Sequence, residues 1–336
     1  MIKEKIYYDS DADLSILKNL TVGVIGYGIQ GRAQALNLRD SKINILVANR
    51  SDHYLDSVIA DGIEPVPFED LANKSDIIMM LIPDQAHQEV VENHLQKHFR
   101  KGQMLVVAHG YSLTFKKFKI PNDIDVTLLA PRMPGLQIRR EFLNDHGVPA
   151  FVDVIQNFSG KALEKVLALG KAIGFTRAGL LHVNYKDETE LDLFCEQYLV
   201  ANIVKTIKES FEELVHKYHY PPVATLMELY ASAELGEVLI EAANVGIGEV
   251  FQKNASPTCQ FGIAEYYERA MTKPVHESIK EVIHGLKTGQ FDNSLDKEGE
   301  KNYEKVNALW NMVNSAPLTE TQKWIGTHFK KKNNHE

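Results

Sequence analysis

Acidic residues at helical spacing open the second half of this 336-residue chain. Asp192 and Glu196 lie four positions apart in a run that reads KDETELDLFCEQ from 186 to 197. On a helix that spacing puts both carboxylates on one face, where like charges repel unless a cation is shared. Oxygen ligands suit Mg²⁺, which keeps several waters and leaves coordination positions for a substrate. The pair therefore indicates either a magnesium site or a solvated acidic face, and the residues alone leave both interpretations open.

A glycine-rich turn near the start of the chain carries a second kind of chemistry. Thr21–Ile25 has the composition of a short buried strand, and the residues from Arg32 to Asp40 have that of a helix. Between them the G-x-G-x-x-G motif predicts a dinucleotide site, because glycines permit a tight turn and the helix N-terminus attracts a pyrophosphate. The predicted cofactor-binding residues of this turn are Gly26, Tyr27, Gly28, Ile29, Gln30 and Gly31.

The end of the next predicted strand, 43–48, bears on which nicotinamide cofactor is preferred. Arg50 and Ser51 could hold a 2′-phosphate, since a guanidinium pairs with anions in a fork and a hydroxyl donates. Asp52 favours the opposite outcome, because a carboxylate repels phosphate and accepts from a ribose hydroxyl. The residues favour NADPH and leave NADH, or a solvated turn, as alternatives.

Polar residues follow three further apolar runs, 76–83, 103–108 and 125–130. Continuous apolar strands that alternate with helical stretches predict a doubly wound parallel sheet, the Rossmann-type α/β fold. Ligands bind outside the carboxyl ends of such strands. These ends carry Asp84 and Gln85, then His109, and then Arg132 and Gly135.

The pattern changes after about residue 182, where strand-like runs give way to long amphipathic segments. We predict a dinucleotide-binding domain at 1–182, an all-helical domain at 183–328, and a disordered tail at 329–336. Enough apolar surface lies on the helices to expect burial against a second copy of the chain.

Composition narrows the class of protein. The net charge is −8, which argues against bulk attraction to nucleic acid or an anionic membrane. No apolar run approaches the ~18 residues of a membrane span, and the first residues lack a secretory signal. Two cysteines outside any C-x-x-C motif fit a reducing, cytoplasmic location.

Taken together, the motifs resemble those of the ketol-acid reductoisomerase family. The segments that carry the resemblance are 7–14, 24–31, 81–84, 108–110, 139–141, 147–150, 159–162, 176–179 and 188–197, and they span most of the chain. The length is similar to that of the family's short form, class I, which has a single knotted helical domain. We therefore expect an α/β dinucleotide domain followed by a knotted all-α domain.

The resemblance implies a reaction and a set of roles. In this family a 2-hydroxy-2-acyl acid such as 2-acetolactate binds two Mg²⁺ ions, an alkyl group migrates, and NADPH reduces the resulting 2-keto acid, a step of branched-chain amino-acid biosynthesis. Carboxylates from both chains of a homodimer hold the metals. By resemblance, Asp192, Glu196 and Glu228 are metal ligands, His109 and Arg132 are catalytic together with Glu228, Gly135 contacts the cofactor, and Ser256 binds substrate.

Two departures from the family pattern lie at these positions. Ser232 replaces the acid that follows Glu228 by four residues, and Arg132 replaces a lysine. A lost carboxylate should weaken one metal site, and isomerisation should suffer more than reduction because it needs charge neutralised on two substrate oxygens. Three hypotheses remain: a working reductoisomerase with an altered second metal site, an NAD(P)H-dependent 2-keto-acid reductase, and a non-catalytic paralogue.

Overall fold

The fold is seen in a computed structural model, which describes residues 5–267, 275–301, 303–313 and 318–321. The chain divides into two compact units, Met1–Leu191 and Asp192–Glu336. The predicted disordered tail at 329–336 lies outside the described residues. No described helix is both long enough and apolar enough to cross a membrane.

The first unit is built on an eight-stranded sheet with helices on both faces. Its strands are β1 (Ile6–Tyr7), β2 (Thr21–Ile25), β3 (Asn44–Ala48), β4 (Ile77–Met80), β5 (Met104–Val107), β6 (Asp125–Pro131), β7 (Ala150–Gln156) and β8 (Leu180–His182). Their spatial order is β1-β8-β7-β6-β5-β4-β2-β3. The doubly wound α/β fold predicted from the sequence is confirmed.

Eight α-helices accompany this sheet in the described part of the chain. They are α1 (Ile29–Asp40), α2 (His53–Ala60), α3 (Phe68–Lys74), α4 (Asp84–Val90), α5 (Tyr111–Thr114), α6 (Gly135–Leu143), α7 (Ala162–Ile173) and α8 (Tyr185–Phe194). The division between the two units falls within α8.

Strands β4 and β5 are apolar throughout because each of their faces is buried in a separate core. Val22, Ile77 and Met79 belong to the core on one face, whereas Ile78 and Met80 belong to the core on the other. Successive side chains of a strand point to opposite faces, so a strand covered on both sides has no position that faces solvent. This explains the unbroken apolar runs in the sequence.

The sheet is mixed, and in this detail the prediction of a parallel sheet was wrong. β7 runs antiparallel to β6, and β1 runs antiparallel to β8. The chain leaves β6 at Pro131, passes through α6 packed on α1, and re-enters beside the same strand end, where Pro131 pairs with Ala150. An apolar run buried on both faces carries no information about its direction.

The described part of the second unit is helical and contains no strand, as predicted. Its α-helices are α9 (Ala201–Glu212), α10 (Pro222–Leu226), α11 (Glu234–Val245), α12 (Ile247–Asn254), α13 (Pro257–Tyr267), α14 (Val275–Lys287), α15 (Gln290–Glu300) and α16 (Glu304–Val313). π-helical turns at Cys195–Val200, Glu213–Lys217 and Met227–Ala231 interrupt or extend these helices. The knot stays a prediction.

The helical stretch that begins at Pro222 is interrupted at Ser232 and Ala233. Ala233 has a left-handed backbone with φ of 72°, and α11 begins only at Glu234. The Ser232 hydroxyl donates to the carbonyl oxygen of Met227 at 2.8 Å and lies 3.4 Å from the backbone nitrogen of Glu234. Glu228 and Glu234 therefore do not lie on one continuous helix.

A buried acid at the start of β6 makes the first unit sensitive to low pH. Asp125 is fully buried and accepts from the backbone N–H of Ser159 at 2.8 Å and from Lys165 Nζ at 2.9 Å. Burial alone would raise the pKa of Asp125, but the hydrogen bonds from Ser159 and Lys165 outweigh burial and hold that pKa below its usual value.

Asp125→Asn should therefore lower the free energy of unfolding most at neutral pH. A carboxyl whose folded pKa is depressed adds stability above its unfolded pKa of about 3.9. That stability is lost as the pH falls through the folded pKa. We expect a loss of about 3 kcal/mol at pH 7 and a smaller difference near pH 3, measured by urea unfolding. Exposed Asp123→Asn is the control, and an equal loss at both pH values would contradict the assignment.

Candidate active site

A cleft of about 500 Å³ opens at the carboxyl ends of β2, β3, β4 and β5. The chain moves from β2 outward to β3 and then crosses to β4 on the other side of β2, so the cleft lies where the strand order reverses. Such reversals are the usual ligand sites of open α/β sheets. Of the residues predicted to bind cofactor, those that line the cleft are Gly26, Gly28, Ile29, Gln30, Arg50 and Asp84.

Close backbone packing shapes the glycine turn. Gly26 has φ of 93°, and a Cβ on Gly31 would lie 2.0 Å from the carbonyl oxygen of Gly26. A Cβ on Gly135 would lie 2.0 Å from the carbonyl oxygen of Ile29, so Gly135 supports the turn from outside the cleft lining. A Cβ on Gly28 would meet no other atom within 4 Å, which leaves open space where a ligand could approach. These contacts and this open space explain why the motif needs glycine.

Tyr27 is placed differently from its neighbours in the turn. Its side chain is fully buried and does not line the cleft, and its hydroxyl donates to Asp61 Oδ2 at 2.9 Å. Its backbone N–H donates to Asn49 Oδ1 at 2.9 Å. The Tyr27 side chain thus anchors the turn to the protein interior. The sequence analysis had grouped Tyr27 with the cofactor-binding residues.

The tip of β3 is organised by Asp52. This carboxylate caps α2 by accepting from the backbone N–H of Tyr54 at 3.0 Å, and it accepts from Arg50 Nε at 2.7 Å. The hydrogen bond from Arg50 holds the pKa of Asp52 below its usual value. The Arg50 side chain is 82% exposed, and Ser51 is exposed outside the cleft lining. Arg50 is therefore the cation at this tip that can turn toward an anion in the cleft.

Two histidines flank Asp84 at the rim between β4 and β5. His109 Nδ1 lies 2.7 Å from Asp84 Oδ2, and His87 Nδ1 lies 3.8 Å from Asp84 Oδ1. Burial lowers the pKa of His87, whose Nε2 lies 3.1 Å from the carbonyl oxygen of Ile82. Asp84 thus orients the ring of His109, while Gln85 lies beside it without lining the cleft.

Glu188 is bonded to Arg132 and to Gly110, the residue that follows His109, and it was missed by sequence reasoning. It is fully buried on α8, where Oε2 accepts from the backbone N–H of Gly110 at 2.9 Å and Oε1 accepts from Arg132 Nη2 at 2.8 Å. A buried carboxylate is stable only when paired in this way. The one signal in the sequence was its position four residues before Asp192, on the same helical face.

The remaining predicted residues lie in the second unit. Asp192 is on α8, and Glu196 and Glu228 each lie on a π-helical turn, a feature that often marks functional positions. Ser256 is exposed and accepts from the backbone N–H of Cys259 at 3.2 Å, which caps α13. Within the described residues, no three His, Cys, Asp or Glu side chains converge as a metal site.

Known proteins of one family are similar to this chain over nearly its whole length. Residues 16–179 match the family model "Acetohydroxy acid isomeroreductase, NADPH-binding domain", and residues 185–330 match "Ketol-acid reductoisomerase, C-terminal domain". The Ketol-acid reductoisomerase (NADP(+)) of Sulfurisphaera tokodaii is 37% identical over 299 residues, which is 88% of this chain and 89% of that protein. The protein of the same name from Pyrococcus abyssi is 34% identical over 324 residues, 96% of each chain.

A solved structure gives the same result for the fold. The NADH-preferring ketol-acid reductoisomerase from an uncultured archean superposes with a TM-score of 0.91 at 31% identity, covering 97% of this chain and 100% of that one. The NADPH-binding domain model matches the doubly wound unit, and the C-terminal domain model matches the helical unit that follows it. It therefore belongs to the ketol-acid reductoisomerase family of NAD(P)-dependent oxidoreductases.

Proposed function

We propose that this protein is an Mg²⁺-dependent ketol-acid reductoisomerase. It converts 2-acetolactate-type 2-hydroxy-2-acyl acids to 2,3-dihydroxy acids with NADPH, as in branched-chain amino-acid biosynthesis. The observation that carries the proposal is a pair of fixed polar side chains at or beside the dinucleotide cleft. Asp84 holds His109 in the cleft lining, and the buried Glu188 holds Arg132, which directly follows the lining residue Pro131. Polar groups fixed beside a nicotinamide site are suited to orienting a polar substrate.

The residues present fit the two groups that the reaction requires. The cleft offers a glycine cradle and the N-terminus of α1 for a pyrophosphate, and Arg50 for a 2′-phosphate. The candidate metal ligands Asp192, Glu196 and Glu228 are all carboxylates, the donor type that Mg²⁺ prefers. When bound, Mg²⁺ supplies Lewis-acid polarisation of the substrate oxygens, and the reduced nicotinamide supplies a hydride.

The chain's own residues then position the substrate and handle a proton. Because His109 Nδ1 is held by the carboxylate of Asp84, the favoured tautomer of His109 carries its lone pair on Nε2, which can take a proton. Arg132, fixed by Glu188, contributes a positive charge suited to the carboxylate of an acidic substrate. Ser256 is proposed as a further substrate contact by resemblance.

NADPH is the proposed cofactor, with NADH as the alternative. Arg50 pairs with Asp52 in this structure, and a 2′-phosphate would compete for the same guanidinium. The relatives from Sulfurisphaera tokodaii and Pyrococcus abyssi carry NADP(+) in their names, whereas the similar solved structure is an NADH-preferring protein. Dissociation constants for the two cofactors decide the question, and tighter binding of NADH would overturn the assignment.

A homodimer is proposed as the working unit. On α11 the side chains of Leu239 and Ile240 are 48% and 62% exposed, and α11 has no buried residue. Large exposed apolar side chains grouped on one helix mark a surface for protein–protein contact. A second copy would also supply further carboxylates, Glu228 among them, to complete a metal site. Sedimentation that finds only monomer would contradict the proposal.

Ser232 favours one alternative function, a 2-keto-acid reductase without the isomerase step. Its neutral hydroxyl is engaged with the carbonyl oxygen of Met227, at the position where the family has an acid. We therefore expect isomerisation of 2-acetolactate to be slower than reduction of the rearranged 2-keto acid. The measurement is absorbance loss of NADPH with Mg²⁺ and each substrate in turn.

The three outcomes are distinct. Turnover of both substrates supports the reductoisomerase, and turnover of the keto acid alone supports the reductase. If the protein bound neither NADPH nor NADH, it would be a non-catalytic paralogue.

Ser232→Glu should raise the affinity of the protein for Mg²⁺, because it restores a carboxylate at a position where the family has an acid. Ser256→Ala is the control and should leave the Mg²⁺ affinity unchanged.

A further inference from the structure

One carboxylate, that of Asp61, is bonded to both ends of the glycine turn. Its Oδ2 accepts from the Tyr27 hydroxyl at 2.9 Å and from Arg32 Nε at 2.7 Å, and its Oδ1 accepts from Arg32 Nη2 at 2.9 Å. Tyr27 is the second residue of the turn, and Arg32 directly follows its last glycine. A bidentate pair with arginine fixes direction as well as distance.

Asp61 is itself held in place from several sides. Its backbone N–H donates to the carbonyl oxygen of Ser57 at 3.0 Å, which ends α2. Its carbonyl oxygen accepts from Arg39 Nη1 at 2.7 Å, so that α1 is attached to this residue twice. Because Tyr27 and Arg32 are both bonded to this fixed residue, the distance between them is fixed as well.

The hydrogen bond from Tyr27 to Asp61 cannot be replaced by water without cost. The Tyr27 side chain is fully buried, and burial together with Asp61 raises the pKa of its phenol. The hydrogen bond from Arg32 keeps the pKa of Asp61 below its usual value, so the carboxylate is charged at neutral pH. A buried hydroxyl that lost this acceptor would pull the turn toward another partner.

The turn itself tolerates little movement. Gly31 packs so closely on the carbonyl oxygen of Gly26 that even a methyl group has no room, which leaves no slack between the turn and α1. A pyrophosphate is bound by N–H groups whose direction depends on that packing. Binding is strongest when such donors are fixed before the ligand arrives.

We propose that Asp61 is a positioning residue for the dinucleotide, which holds the glycine turn and the first turn of α1 in binding geometry. The inference rests on the proposed function. Asp61 does not line the cleft and acts through Tyr27 and Arg32. Because the pyrophosphate is common to NADPH and NADH, both cofactors should depend on Asp61 to the same degree.

The test compares Asp61→Asn with Asp56→Asn, an exposed residue of α2 that undergoes the same loss of charge. Dissociation constants for NADPH and NADH are measured by fluorescence titration, and kcat and KM are measured in the reductase assay. We expect Asp61→Asn to raise both dissociation constants about tenfold, to leave kcat at saturating NADPH within about twofold, and to leave the KM for the keto acid unchanged. Asp56→Asn should change none of these.

Tyr27→Phe removes a single hydroxyl and answers the question if Asp61→Asn fails to fold. It should weaken both cofactors by about threefold. Unchanged cofactor affinity in the folded variants, even with a lower melting temperature, would overturn the proposal, as would a loss confined to NADPH. Failure of the unmutated protein to bind either cofactor would instead overturn the proposed function.

Discussion

Glu188→Gln should lower turnover by about 10²-fold while leaving the protein folded. The substitution keeps the size of the side chain but removes the charge that holds Arg132, and its amide can no longer accept from both Arg132 and the N–H of Gly110. Gly110 directly follows His109 in the chain, so both catalytic candidates should shift. A displacement of about 1 Å in a catalytic group costs a factor of this size.

The measurement is kcat with the 2-keto acid and NADPH at saturation. Asp187→Asn, an exposed neighbour on α8, is the matched control and should retain full activity. Arg132 is 24% exposed, so part of its lost pairing is compensated by water, and the expected penalty on stability is smaller than for a fully buried pair. If Glu188→Gln retained kcat within about twofold, the pair would be structural only.

Gly31→Ala should abolish tight cofactor binding, with a rise of about 10²-fold in the dissociation constant for NADPH. The added methyl group would lie 2.0 Å from the carbonyl oxygen of Gly26, and backbone on both sides has to move. Overpacking of this kind costs about 1–3 kcal/mol in stability. Circular dichroism and cofactor titration measure the two effects separately.

Gly28→Ala provides the contrast within the same motif. Nothing lies within 4 Å of its added carbon, so the melting temperature should be unchanged. Cofactor binding should weaken only if the pyrophosphate approaches the backbone at this residue. Gly236→Ala, on α11, controls for the substitution itself. A Gly31→Ala variant that bound NADPH normally would show that the turn can repack.

The sequence was most informative where a local pattern determines a local structure. The apolar strand, the glycines and the helix around Gly26 could be recognised because each step depends on neighbouring residues. The polar residues at strand ends could be placed at one edge of the sheet for the same reason. By contrast, the direction of β7 depends on where α6 packs, which is a tertiary contact.

The features of the site that the sequence did not predict depend on tertiary contacts, such as which of several neighbouring acids is buried. Glu188 lies among Asp187, Glu190 and Asp192, and composition does not indicate which of them is inside. Tyr27 belongs to the cofactor motif, yet its side chain faces the interior because Asp61, far along the chain, accepts its hydrogen bond. The break at Ala233 arises from a left-handed residue that helix propensity does not suggest.

The two-residue strand β1 bears on how the first unit is assembled. Ile6 and Tyr7 pair with Leu181 and Leu180, so the outer edge of the sheet is completed by residues from opposite ends of the unit. At a synthesis rate of about 5–20 residues per second, the ribosome needs on the order of ten seconds or more to deliver β8 after β1 has emerged. Until then β1 cannot pair with β8. The pairing of β1 is therefore a late event in folding, because contacts between residues far apart in the sequence form slowly.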